Sequence, residues 1–247
     1  MKILKYENFI ESELNEGIIR NFYDKAKIKY LCKKYDIKNY TINEDGTIDV
    51  DGNVNLNDKK LIELPLKFGK VGGNFYCYNN QLTSLEGSPE KVGDRFYCYN
   101  NQLTSLEGAP REVGGDFLCY DNQLTSLEGS PRSVGGDFYC YRNQLTSLEG
   151  ISKYISGNIN CRNNQLSDVR GIKDGWRGKF WIEGNPVHEI FKLFPSNRWD
   201  EVIEYLNEHG VIRDGKIVIL QRLEQVFYDM GLEVPEIEEI RGYKIQF

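Results

Sequence analysis

The chain has 247 residues, is 40% hydrophobic and 28% charged, and carries a net charge of −6. That is globular composition, enough for one large domain or two small ones. No apolar run approaches the roughly 18 residues a bilayer crossing needs, so no membrane span is expected.

The opening "MKILKYENFIESELNE" turns acidic too early for a secretory signal and lacks an apolar core and a small-residue cleavage site. A cytoplasmic location is therefore expected. Residues 1–38 hold 9 basic and 6 acidic side chains. "YENFIESELN" reads as helical. In "GIIRNFYDKAKIKYLCKKYDI", Ile18, Phe22, Lys25, Ile28, Leu31, Cys32 and Tyr35 place mostly apolar residues about one helical turn apart. "TINEDGTIDVDGNVNL" alternates apolar and polar residues about "EDG", as a hairpin does. Residues 1–52 are thus expected to form a helical N-terminal cap with a hairpin leading into the next region.

From residue 53 to 187 one unit is copied. "FYCYNNQLTSLEG" begins at Phe75 and again at Phe96, with near copies at Phe117 and Phe138. Leu61, Leu82, Leu103, Leu124, Leu145 and Leu166 stand 21 residues apart. Cys77, Cys98, Cys119, Cys140 and Cys161 keep the same phase. So do an Asn column from Asn80 to Asn185, a Leu column from Leu64, and an apolar column of Val71, Val92, Val113, Val134, Ile155 and Trp176. Seven windows can be counted, the outer two degraded as capping repeats are. The region has 15 basic and 15 acidic residues. Its zero balance argues against a nucleic-acid-binding surface.

The unit F-x-C-x-x-N-x-L-x-x-L resembles the leucine-rich-repeat family, with Cys standing for one Leu. Its length and "LIELP" at Leu61 to Pro65 look like the short bacterial subclass. The pattern is also similar to repeat proteins of large tailed phages and giant viruses. The opening residues, through Lys2, Tyr6, Phe9, Ile10 and a following Glu, resemble capsid-targeting segments of such phages. One departure is that the first consensus Leu is displaced onto Val92 and its equivalents, before a glycine pair. The resemblance implies an α+β fold: a right-handed leucine-rich-repeat solenoid with a parallel concave β-sheet, an extended convex side, and helical caps at both ends.

Alternation in F-Y-C-Y turns Phe and Cys inward and sends their neighbours to the other face. One unit cannot bury its apolar face alone, so neighbours must stack. Asn suits the turn after the strand, where its amide satisfies backbone groups of two coils. The glycines of "VGGD" are expected to supply positive φ, and "EGSP" to keep the far side non-helical. The cysteines raise disulfide and metal readings. Stacked strands hold Cβ atoms about 4.8 Å apart, wider than the roughly 3.8 Å a disulfide wants. There is no Cys-x-x-Cys, and both histidines lie outside the array. Small buried free thiols are expected, in a reducing compartment.

The outward positions carry Tyr76, Tyr97, Leu118 and Tyr139 before Cys, and Tyr78, Tyr99, Tyr120 and Tyr141 after it. Tyr is a rigid contact residue enriched at interfaces. Beside these, the position before Asn varies in charge, as at Asp121 and Arg142, which suits a specific partner. These ten residues are the expected contact surface.

Residues 188–247 hold 7 basic and 12 acidic residues and are expected to be an α-helical C-terminal cap. Ser196 or Asn197 would N-cap "RWDEVIEYLNEHG", ended by Gly210. "KIVILQRLEQVFYDMG" would be a second helix, and "RGYKIQF" a closing strand. No nucleotide-binding, metalloprotease or nucleophile-elbow motif occurs. No cysteine follows Cys161, so the C-terminal block cannot do thiol chemistry. No catalytic residue, cofactor or metal is assigned. The expected function is non-catalytic binding of a protein or peptide partner. The competing expectation is a structural or virion-internal component whose tyrosines only stabilise the sheet.

Overall fold

A computed structural model describes residues 24–247 except residue 174. The first predicted helix and the targeting-like opening lie outside the described residues. Residues 24–34 are helical and bury Cys32 against the array. Tyr40–Ile42 and Ile48–Val50 then pair antiparallel, the hairpin expected about "EDG".

The repeats wind into a β-solenoid with two parallel sheets rather than one. The first sheet, here the Phe sheet, has strands Val54–Asn55, Phe75–Tyr76, Phe96–Tyr97, Phe117–Leu118, Phe138–Tyr139, Ile159–Asn160 and Phe180–Trp181. Phe75 pairs with Phe96, Phe96 with Phe117, and Phe117 with Phe138, so each coil advances by one 21-residue copy. The second, here the Val sheet, has strands Phe68–Val71, Lys91–Val92, Glu112–Val113, Ser133–Val134 and Tyr154–Ile155, continuing the N-terminal hairpin. The far side is therefore not merely extended. The column that departs from the leucine-rich-repeat consensus builds a ladder of its own, because Val92 and its equivalents point inward from a strand.

Each coil sends Val, Phe, Cys and two Leu inward, as Val92, Phe96, Cys98, Leu103 and Leu106 do, all fully buried. The Phe rings stack down the core at 5.3–5.6 Å between centroids. The Asn column crosslinks the coils. Asn101 Nδ2 donates to the Cys77 and Cys98 carbonyls at 3.0 and 3.1 Å, and its Oδ1 accepts from Leu82 N at 3.0 Å. The pattern repeats at Asn122, Asn143, Asn164 and Asn185, leaving few buried polar groups unsatisfied.

The glycines work differently from expectation. The "VGG" glycines do not have positive φ; Gly87, Gly108, Gly129 and Gly150 of "EG" do. A Cβ on Gly114 would lie 2.1 Å from Gly93 O. The glycine is needed because two backbones touch there, not because of its conformational range.

The C-terminal region is not purely helical. A short helix, His188–Phe191, leads to Trp199–Glu208, which buries Val202, Ile203 and Leu206. A 3₁₀ turn at Ser196–Arg198 precedes that helix, and neither Ser196 nor Asn197 caps it; Arg198 stands at the N-cap without capping the helix, its side chain paired instead with Glu201 and Met230 O. Gly210 follows at φ 57°. "KIVIL" is a strand, Ile217–Ile219, and only Leu220–Asp229 is helical. Val218 faces the core. The strand lies between Ile212–Arg213 and the expected closing strand Lys244–Gln246. Tyr243 ties this unit to the solenoid, its hydroxyl donating to Ser167 O at 2.7 Å.

Candidate functional site

The outer face of the Phe sheet carries the expected surface. Tyr76, Tyr97, Leu118 and Tyr139 occupy the second strand position and are half-buried. Tyr78, Tyr99, Tyr120 and Tyr141 follow one Cys later and form a continuous stack. Their centroids are 4.6, 4.4 and 4.3 Å apart, with planes within 9° of parallel. The spacing follows the coil repeat, since equivalent residues on parallel strands lie about 4.8 Å apart.

The other column is interrupted. Tyr76 and Tyr97 lie 5.2 Å apart. Leu118 then breaks the series, pairing in register between Tyr97 and Tyr139. Tyr139 and Trp181 approach edge-to-face at 6.4 Å, although Asn160 stands between them in register. The Tyr139 hydroxyl donates to Asp137 Oδ2 at 2.8 Å.

The phenols share a half-buried strip. Burial, then the neighbouring phenols Tyr141 and Tyr99, raises Tyr120 well above an ordinary tyrosine. Burial and the Asp137 hydrogen bond push Tyr139 up to about 12. Tyr120 and Tyr139 thus remain neutral at physiological pH and present ring faces rather than charge.

Asp121 and Arg142 are near the stack, joined by an ion pair at 3.6 Å. Their column is not free to vary for a partner's sake alone. Asn79, Asn100, Asp121, Arg142 and Asn163 all have φ between 51° and 53°. Asn and Asp tolerate the left-handed region better than other non-glycine residues. The backbone therefore accounts for four of the five identities, and Arg142 stands out against that constraint. Its guanidinium lies 6.0 Å from the Tyr141 ring centroid. Arg162 and Glu183 extend the edge with a bidentate pair at 2.6 and 3.0 Å.

Chemistry is sparse elsewhere. All six cysteines are free and buried. Burial raises the thiols of the array, Cys140 to about 12, so they are inert at neutral pH. Among the described residues, no group of three or more His, Cys, Asp or Glu is placed to hold a metal, and no helix is long and apolar enough to cross a membrane. His209 Nε2 lies 2.7 Å from Asp229 Oδ2, joining the two long C-terminal helices. His188 packs edge-on against Trp199.

Fold and surface together define a β-solenoid repeat protein with an aromatic outer ladder. No protein-family model matches the chain, and no curated protein or solved structure is significantly similar to it.

Proposed function

We propose that the chain is a non-catalytic binding module of leucine-rich-repeat type, engaging a protein or peptide through the tyrosine-rich face of the Phe sheet as its concave surface. One observation carries this reading: four parallel tyrosine faces, flanked by a second aromatic column, form a half-buried outer strip held ring against ring. Such a strip loses little side-chain entropy when covered, because its rotamers are already held by their neighbours. The free buried thiols suit a reducing compartment, the cytoplasm or a virion interior.

The structural alternative rests on the same contacts. Ring stacking at 4.3–4.6 Å contributes roughly 0.2–1 kcal/mol per cross-strand pair without any partner. One variant separates the two. The full chain is used to capture a partner, and affinity and melting are then measured for Tyr120→Ala. A binding surface loses about 2 kcal/mol of affinity, roughly 30-fold, at its centre, with at most about 1 kcal/mol of stability lost. Lowered melting with unchanged affinity for the captured partner would establish the structural role and end the binding proposal for this face.

A further inference from the structure

The most irregular part of the array gathers in one place. In the column held by Pro89, Pro110 and Pro131 the next copies have Ser152 and Lys173. Where Gly93, Gly114 and Gly135 allow coils to touch, the next copy has Ser156. Tyr154 replaces Ser133, and Trp176 replaces Ile155. The Val sheet ends at Tyr154–Ile155, one coil before the Phe sheet does. Between Tyr154–Ile155 and the following segment lies a cavity of about 250 Å³.

Its walls are of two kinds. Ile151, Ile155, Ile159, Ile172 and Trp176 supply apolar surface. Trp176 is fixed by its indole N–H, which donates to Gly157 O at 3.1 Å. At the rim the Lys173 and Lys153 ammonium groups lie 4.7 and 5.5 Å from the Tyr154 ring centroid. Ion-paired lysines among the described residues are Lys38, Lys67, Lys91 and Lys192; Lys153 and Lys173 are not among them. The same two ammonium groups, Lys153 first, lower the Tyr154 phenol below its ordinary value. On the cavity wall, Ser152 is buried and its hydroxyl has no hydrogen-bond partner.

We propose that this cavity between the last two coils binds a small organic anion, its apolar body against Trp176 and the isoleucines and its carboxylate or phosphate head between Lys153 and Lys173. The chemistry follows from the walls. An apolar body gains burial at roughly 25 cal/mol per Å². A charged head gains charge-assisted hydrogen bonds from the two ammonium groups. The size restricts the ligand to the lower end of the range, since sites for drug-sized molecules run roughly 300–1,000 Å³. The site does not involve the tyrosine ladder and stands whether or not that ladder binds a partner.

The test uses the full chain and three probes with one body: 2-naphthoate, 2-naphthyl phosphate and neutral 2-naphthalenemethanol. Binding is followed by calorimetry and by Trp fluorescence. At least one anion is expected to bind with one-to-one stoichiometry, at least tenfold tighter than the alcohol, and the better of the two identifies the head group. The double variant Lys153→Gln, Lys173→Gln is expected to lose at least tenfold for the anion while keeping its melting temperature, since both side chains are exposed. Equal binding of anion and alcohol would overturn the proposal, as would an unchanged anion affinity in the double variant or no binding of either anion. Trp176→Phe locates the probe: an anion that binds it as strongly as the parent chain, with the same fluorescence change, is elsewhere, and the assignment falls.

Discussion

The two parallel sheets of the solenoid hold their coils together by opposite means. In the Phe sheet, coils are joined by side chains: stacked phenylalanines inside, stacked tyrosines outside, and asparagine amides at the strand ends. In the Val sheet the coils are brought together by missing side chains, with Gly93, Gly114 and Gly135 leaving room for backbone against backbone. A ladder of large residues accepts another large side chain in its place, as Ile159 follows Phe138. A ladder of glycines does not, because any Cβ meets a carbonyl. The Val sheet ends first, at Tyr154–Ile155 immediately before Ser156 interrupts the glycine column, and the Phe sheet runs one coil further.

The comparison can be broken most directly at Phe117, fully buried and stacked on both sides. Phe117→Ala should cost about 3–5 kcal/mol, the range for removing a core aromatic, read by urea or thermal unfolding. A cost under about 1 kcal/mol would mean that the core is not held by the Phe stack. Gly114→Ala comes next. Its Cβ would sit 2.1 Å from Gly93 O, so the coils must part, at about 1–3 kcal/mol as for overpacked interiors. On an ordinary exposed position, the same change would be neutral or stabilising. Unchanged or raised stability would therefore refute the backbone-contact account of the Val sheet. The smallest effect, and one of opposite sign, belongs to Leu118→Tyr. It completes the column between Tyr97 and Tyr139 and should add roughly 0.2–1 kcal/mol, the value of cross-strand aromatic pairs. A loss of stability would show that Leu118 fills space a ring cannot.

Much of this molecule is determined by its sequence alone. Strict alternation in F-Y-C-Y settles which residues enter the core, and the 21-residue phase settles the register in which Phe75 meets Phe96 and Tyr78 meets Tyr99. The Asn column and the hairpin about "EDG" were legible too, because each rests on local chemistry: an amide that satisfies nearby backbone, and a turn between alternating strands. The tyrosine strip follows from that register without further information.

Other features exist only once coils lie against one another. The Val sheet arises because the chain returns to the same height every copy, and a two-residue strand has no periodicity of its own to read. The "VGG" glycines look like turn residues until the neighbouring carbonyl is in place. The left-handed backbone at Asp121 and Arg142 looks like free variation until φ is known. "KIVIL" precedes a helix without a break in its apolar pattern, and it becomes a strand because Ile212–Arg213 and Lys244–Gln246 give it partners on both sides. The cavity beside Tyr154 brings residues of two coils to one place. Nothing local records the distance between Lys153 and Lys173, because that distance is set by how the last coils stack.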